Sequence, residues 1–443
     1  MKSRLLLSVA IALGVLALVA FLLGQTLASP IASATPAGRV RVVHAVPDAP
    51  PVDIEIDGVV SPDLSGLAFK DVSEYVAVAP GEIVVSVIAP GLGADPVLST
   101  TLTVAEDGDI TVVAHSTLAA DAYPLTLLAV VDDNEIPPLG HARARFYHLV
   151  PGAPAVDVAI QGGPVLLQAV RYGQATPYVE IAAGTYDLEL RLTGLPIAVP
   201  VSDVTATPNT IYSFFAVGTT AAPDIVQRID QQFARVRAFH GVSDAPPVDV
   251  WLDGTQALSS VRYRDLTDYA AVMSGTYTLG LALPGLPEPI LTDTVILTGG
   301  MDFTIAAAGT VALADPDALE LIPYIDDNRP PAEGEAHLRF IHLVPDAPFP
   351  VDLGVSGVVT PLFTAVSYRQ ATAYAALDAG SYDLELYAAG TTTPIALVRG
   401  RTLEEGVIYT AFGVGLAAGP DPVEIVLRPS DFTLYLPLIS RGH

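Results

Sequence analysis

The stretch Arg39-Val-Arg-Val-Val-His-Ala-Val-Pro-Asp-Ala-Pro-Pro-Val-Asp53 decides how this chain is read, because it occurs four times. Its counterparts run from Arg143 to Asp157, from Arg235 to Asp249 and from His337 to Asp352. Each opens with an alternating run, breaks at a Pro/Asp turn and resumes as a second alternating run. Alternation with a period of two, in segments rich in Val and Ile, is the mark of a half-buried strand. Val40, Val42 and His44 therefore share one face of the opening strand, and Arg39, Arg41 and Val43 share the other. The second run, Val52-Asp-Ile-Glu-Ile-Asp57, ends in a turn at Gly58.

Outward from this stretch, each copy carries an aromatic series at fixed intervals. Tyr172, Tyr178 and Tyr186 recur as Tyr263, Tyr269 and Tyr277, and again as Tyr368, Tyr374 and Tyr382. The first copy has Phe69, Tyr75 and Ile83 in the same places. A longer period overlies the shorter one. The first and third copies end in acidic linkers, Asp132-Asp133-Asn134 and Asp326-Asp327-Asn328, each followed by a Pro-Pro pair, and the second and fourth lack them. The offset between the linkers equals the offset between His148 and His342, so the chain is a duplicated pair, A-B-A′-B′. The expected units are 37–138, 139–231, 232–333 and 334–430. Nothing sustains a helical period, and short strands alternate with Pro, Gly and Asp turns throughout. The expected fold class is all-β, as four tandem immunoglobulin-like β-sandwich units. The pattern leaves open whether A and B pack as one body.

Composition narrows function by exclusion. With 48 acidic against 21 basic residues the formal net charge is −27, which repels phosphate backbones, so nucleic acid is not an expected partner. The absence of Cys excludes disulfides and thiolate chemistry. Residues 1–34 read as an export signal, with Lys2 and Arg4 ahead of the apolar stretch 5–23 and Ala32-Ser33-Ala34 offering a cleavage site. An uncleaved anchor is the alternative, and residues 5–23 are then the one membrane contact. Either way the expected location is secreted or envelope-associated, outside the cytoplasmic membrane. Residues 431–443 form a short tail.

The string His-x-Val-Pro-Asp-Ala-Pro-x-Val-Asp, followed by a short strand and Gly, resembles the bacterial domain-of-unknown-function family DUF4397. His44, Asp48, Ala49, Pro50 and Asp53 carry the match in the first copy, and His240, Asp244, Ala245, Pro246 and Asp249 in the third. The fourth inserts a residue before Val351-Asp352, and the second has Gly152 where the others have Asp. The resemblance covers nearly all of the chain beyond the leader. It implies exported bacterial proteins with an all-β fold and no established activity.

Three constellations are candidates for chemistry. One imidazole and two carboxylates recur as His44/Asp48/Asp53, His240/Asp244/Asp249 and His342/Asp346/Asp352, with His148 and Asp157 as the reduced second set. Such a trio can hold a divalent metal or exchange protons. Asp in a Pro-Asp-Ala-Pro turn also caps backbone N–H groups, and Gly152 favours this structural role. The linkers Asp132, Asp133, Asn134, Asp326, Asp327 and Asn328 offer clustered oxygens at a domain junction, which suit calcium; the plainer reading is a solvated acidic linker. The tyrosine series suits either sugar stacking or a sandwich core, and the constant spacing favours the core. Trp251, the only tryptophan, falls on an outward strand position and is a candidate partner contact. The reading is a non-enzymatic structural or adhesive protein that meets a protein or glycan at the cell surface. A calcium-dependent carbohydrate-binding protein is the alternative.

Overall fold

The computed structural model describes residues 38–430 except 92, 94, 119–121, 194–197, 312–318, 348 and 420. The expected export signal over residues 1–34 and the expected tail over 431–443 lie outside the described residues. Among the described residues every regular element is a strand, apart from one 3-10 turn at Pro62–Leu64, and none of these residues forms a helix long and apolar enough to cross a membrane. The chain is all-β and repeats one sandwich plan four times.

In unit A one sheet has the order Val76–Val78, Gly38–Ala45, Asp109–His115, Thr126–Asp132. The opening strand Gly38–Ala45 runs parallel to Asp109–His115, whereas the other pairings are antiparallel. The facing sheet has the order Val59–Val60, Asp53–Ile56, Gly81–Ile88, Pro96–Val104. Alternation dictates what each sheet buries. Val40 and Val42 point inward to meet Ile54, Val85 and Val87 of the facing sheet, and this apolar set is the unit's own core. Asp57 and Gly58 both have positive φ (51° and 78°), so a two-residue hairpin turn joins the short strands on either side. Asp253 and Gly254 repeat it at 47° and 77°.

The outer face of the first sheet is not solvated. Val43, Ala45 and Val113 of unit A share a buried cluster with Tyr147, Leu149, Phe215 and Val217 of unit B. In the second pair Phe239, Ala306 and Ala308 meet Ile341, Leu343, Phe412 and Val414. Each pair is thus two sandwiches stacked back to back through their first sheets. A buried apolar interface of this kind makes the pair, not the single unit, the packed body.

Units B and A′ are joined differently. One strand, Ala222–His240, runs for 19 residues across positions 231 and 232. Its first half pairs with Thr210–Thr219 of B, and its second half pairs with Asp302–Ala308 of A′. The two sheets therefore form a single eight-stranded sheet. The first linker packs into this region, where Ile136 joins Ile211, Phe233 and Ala271 in a small core.

Candidate functional site at the unit junctions

The repeated stretch uses its polar residues to fix its own turn. His44 Nε2 lies 3.1 Å from the Pro50 carbonyl, and its Nδ1 accepts from the Val46 N–H at 3.3 Å. His148 and His240 do the same with Pro154 and Pro246. His342 accepts from Val344 N–H, and the corresponding Pro348 lies outside the described residues. Burial pushes His148 and His240 below the usual histidine range and takes His342 to about 4. The turn carboxylate reaches to a different loop. Asp48 accepts from Thr117 and the Leu118 N–H, Asp244 from Thr310 and the Val311 N–H, and Asp346 from the Ala417 and Ala418 N–H groups.

The second-strand carboxylate has a third task. Asp53, Asp157, Asp249 and Asp352 accept from the N–H of Gly66, Ala169, Ser260 and Ala365. All four donors have positive φ, between 49° and 67°; at Ala169, Ser260 and Ala365 the carboxylate anchors an unfavourable backbone conformation in the neighbouring strand, and at Gly66 the conformation is one glycine adopts freely. The members of the His/Asp trio therefore serve three separate backbone segments.

The aromatic series divides its labour in the same way. Phe69, Tyr172, Tyr263 and Tyr368 pack edge-on against the motif histidines. Tyr186, Tyr277 and Tyr382 donate to the carbonyls of Ala182, Met273 and Asp378, four residues back. The middle members Tyr75, Tyr178, Tyr269 and Tyr374 each cover the arginine three residues before the motif histidine, with the guanidinium carbon 3.8–5.0 Å from the ring centroid.

Those arginines, Arg41, Arg145, Arg237 and Arg339, are all buried. They project from the outer face of the first sheets into the interfaces, where Arg41 and Arg339 are each only 1% exposed. At the A/B junction Arg41 pairs with Asp230 of unit B, and Arg145 of B pairs with Asp132 of A at 3.2 Å. Arg41 Nε also donates to Thr111 Oγ1 at 2.7 Å. Asp132 Oδ2 accepts from Tyr75 at 2.7 Å and from Thr111 at 2.6 Å. Burial works against the charge on Arg41, and Asp230, Tyr75 and Asp132 together more than offset it, so its pKa is raised. Burial pushes the Asp132 carboxyl up, against the pull of Arg41 and Arg145. The same burial holds Tyr75 and Tyr269 far above the ordinary tyrosine range.

Four segments, 38–159, 143–233, 234–354 and 349–431, match the model of the domain of unknown function DUF4397. The chain belongs to this family. A comparison with curated proteins finds no match. Among solved structures the chain is similar to the Bacillus anthracis TIE protein at 10% identity, covering 86% of this chain and 68% of that one, with a TM-score of 0.15. A likeness at that score carries no argument.

In this DUF4397 chain the linker residues expected to suit calcium are distributed among protein partners. Asp132 and Asp326 are the last residues of their strands and lie inside the junctions. Asp133 meets Arg143 at 2.9 Å, and Asp327 meets Arg329 at 2.6 Å. Asn134 and Asn328 donate to Asp109 and Asp302, at the start of the central strands. Among the described residues no three His, Asp or Glu side chains are grouped to hold a metal ion. Trp251 is half-buried on the outward face of its strand, opposite Gly280 and beside Pro289.

Sequence reasoning passed over the four buried arginines. They fall on the face opposite Val40 and Val42, which is read as solvated when one unit is considered alone. The available signal was their constant place, three residues before each motif histidine. Chemically the cluster can orient and hold two sheets. At A/B its charged groups pair with one another, and at A′/B′ Asp326 meets both Arg237 and Arg339.

Proposed function

We propose that this DUF4397 chain is an exported, non-enzymatic structural protein whose two rigid A–B pairs space and present loops outside the cytoplasmic membrane, where they meet a protein or glycan partner. The observation that carries this reading is the fate of the recurrent polar residues. In every copy the histidine, the second-strand carboxylate and the arginine support a turn, a backbone segment or an inter-unit face, and the turn carboxylate does so in the three copies that have it. A protein that repeats a residue set four times for packing is built for shape. The acidic balance of the chain favours solubility in such a setting.

The test has two arms. Protease and surface-label accessibility on intact host cells is expected to reach the chain, and confinement to the cytosol would sink the export reading. Single-molecule pulling is expected to give fewer than four large unfolding steps, since the interface core and the sandwich cores of a pair rupture together and the strand Ala222–His240 joins the two pairs. Four equal steps would reject rigid pairs as the working element. A stoichiometric heat on titration with Ca²⁺, abolished by Asp133→Ala with Asp327→Ala, would instead support a cation-dependent binder.

A further inference from the structure

Unit A′ contains a cavity of about 240 Å³ between its two sheets. Val236, Val250, Leu252, Leu279, Ile305 and Leu321 are among its walls. Protein interiors rarely hold voids larger than a water molecule, and a dry engineered cavity of about 150 Å³ already binds benzene. A space of this size and lining is therefore a site for an apolar ligand or a large packing defect.

Comparison of the copies shows how it arises. In three units the same register pairs the second strand with its edge neighbour: Val158 with Leu167, Val250 with Leu258, and Leu353 with Phe363. The preceding residue is Leu166 in B and Leu362 in B′, and both pack inward. In A′ it is Ala257. Unit A fills the same side of its sandwich with Leu64, fully buried on the 3-10 turn, and with Leu67. In unit B, with Leu166 in the wall, the corresponding void is about 40 Å³. Two small residues thus open the sandwich of one copy: Ala257 on one sheet, and on the other Ala238, where B and B′ bury Phe146 and Phe340.

The cavity is also arranged from end to end. Thr255–Val261 and Ala270–Met273 are edge strands of the two sheets, and they lie on the same side of the sandwich. Thr255 and Gln256 from one edge, with Thr267 and Asp268 ahead of the other, supply polar lining at this rim. His240 stands among the lining too, with both ring nitrogens engaged by its own turn. Arg237 alternates to the opposite face, where its Nε meets Thr304. Asp268 at the rim and a net charge of −27 disfavour an anionic head group.

We infer that unit A′ binds an unbranched aliphatic alcohol, its chain between the sheets and its hydroxyl at the rim beside Gln256, Thr267 and Asp268. At roughly 30 Å³ for each heavy atom, the share of one water in the liquid, the space takes a chain of about eight. This inference stands apart from the proposed structural role.

The test uses the full chain with 1-octanol and octanoate as probes. 1-Octanol is expected to raise the melting temperature of the wild type, and 8-bromo-1-octanol to quench Trp251, which lies between Val250 and Leu252 on the wall strand. Ala257→Leu is expected to melt higher than the wild type without ligand and to bind 1-octanol at least tenfold more weakly. Asp268→Asn, which leaves the core alone, is expected to narrow the preference for alcohol over octanoate. Unchanged melting and fluorescence with 1-octanol, undiminished binding in Ala257→Leu, or octanoate binding as well as octanol in the wild type would each overturn the proposal.

Discussion

The two junctions are built on one plan and balanced differently. At A/B, two guanidinium groups, Arg41 and Arg145, face two carboxylates, Asp132 and Asp230. At A′/B′ the arginines Arg237 and Arg339, the carboxylate Asp326, and its partners Thr304 and Tyr269 all recur. The fourth member is missing, because the strand register that aligns Phe215 with Phe412 places Ser430 where unit B has Asp230. The consequences are local. Arg237 Nη2 and Ser430 Oγ, both buried, lack hydrogen-bond partners among the described residues, and Tyr374 leans on Thr410 without a well-formed bond. A pocket of about 70 Å³ adjoins Arg237 and is lined also by Asp268, Tyr269, Arg428 and Pro429. Apolar packing changes in the opposite sense. At A/B the stacked rings Tyr147 and Phe215 both belong to unit B, whereas at A′/B′ Phe239 and Phe412 stack across the interface at 3.6 Å and 9°. Holding two sheets together thus tolerates the loss of a buried charge when an aromatic stack crosses the interface.

The sharpest way to break this comparison is to remove the carboxylate that only one junction has. Asp230→Ala strands Arg41, Ser213 and Tyr178, all of which meet that carboxylate. Leaving a buried charge unpaired is expected to cost about 3–5 kcal/mol, whereas Ser430→Ala at the matching site should cost under about 0.5 kcal/mol. Denaturant unfolding followed by hydrogen exchange in His141–His148 and in Glu335–His342 assigns each loss to its own pair. Equal losses at the two positions would mean that the charge balance is irrelevant to junction strength.

The reverse substitution tests the same idea by repair. Ser430→Asp is expected to stabilise the A′/B′ pair by about 1–3 kcal/mol, by giving Arg237 Nη2 and Tyr374 the acceptor they lack. Arg237→Met should achieve part of this gain, since it removes the orphaned donor and leaves Asp326 with Arg339, Thr304 and Tyr269. The corresponding Arg41→Met should destabilise, because it leaves Asp230 without its cation. Thermal melts of the three variants check the signs, and a stabilising Arg41→Met would contradict the assigned balance.

How much of this was legible from residues follows from what a single strand can reveal. Alternation correctly sent Val40 and Val42 into the core and opposed them to Arg41. It could not say that the opposing face meets another unit, since an arginine in a strand is ordinarily at the surface. Asp132 looked like the first residue of a solvated linker because the acidic run begins there, yet it closes the strand Thr126–Asp132 and points at Arg145. The tyrosine spacing was informative, since three functions at three fixed places require three fixed places in the sequence. Ala257 carried no signal in isolation, and its meaning appears only when strand pairing sets it beside Leu166 and Leu362.

The smallest expected difference between the pairs concerns acid. His115 ends the central strand of unit A, buried at the junction rim, with its Nδ1 3.0 Å from the hydroxyl of Tyr172 in unit B. The register places Ala308 at that position in A′. Burial lowers the His115 pKa to about 4 from an ordinary 6.5. Between those values the unfolded chain takes up a proton that the folded one refuses, so stability is lost as pH falls through this window and is intact above it. The motif histidines His148 in the first pair and His240 and His342 in the second act in the same direction. His115 therefore contributes an additional loss in the A/B pair, on the order of 1 kcal/mol by pH 5. His115→Ala, which reproduces the arrangement at Ala308, is expected to remove this loss without changing the acid response of A′/B′. Hydrogen exchange at pH 7 and pH 5 in Asp109–His115 and Asp302–Ala308 reads both pairs in one sample. An acid response of Asp109–His115 unchanged by the substitution would assign the sensitivity of the first pair to His148 instead, whose pKa burial lowers in the same direction.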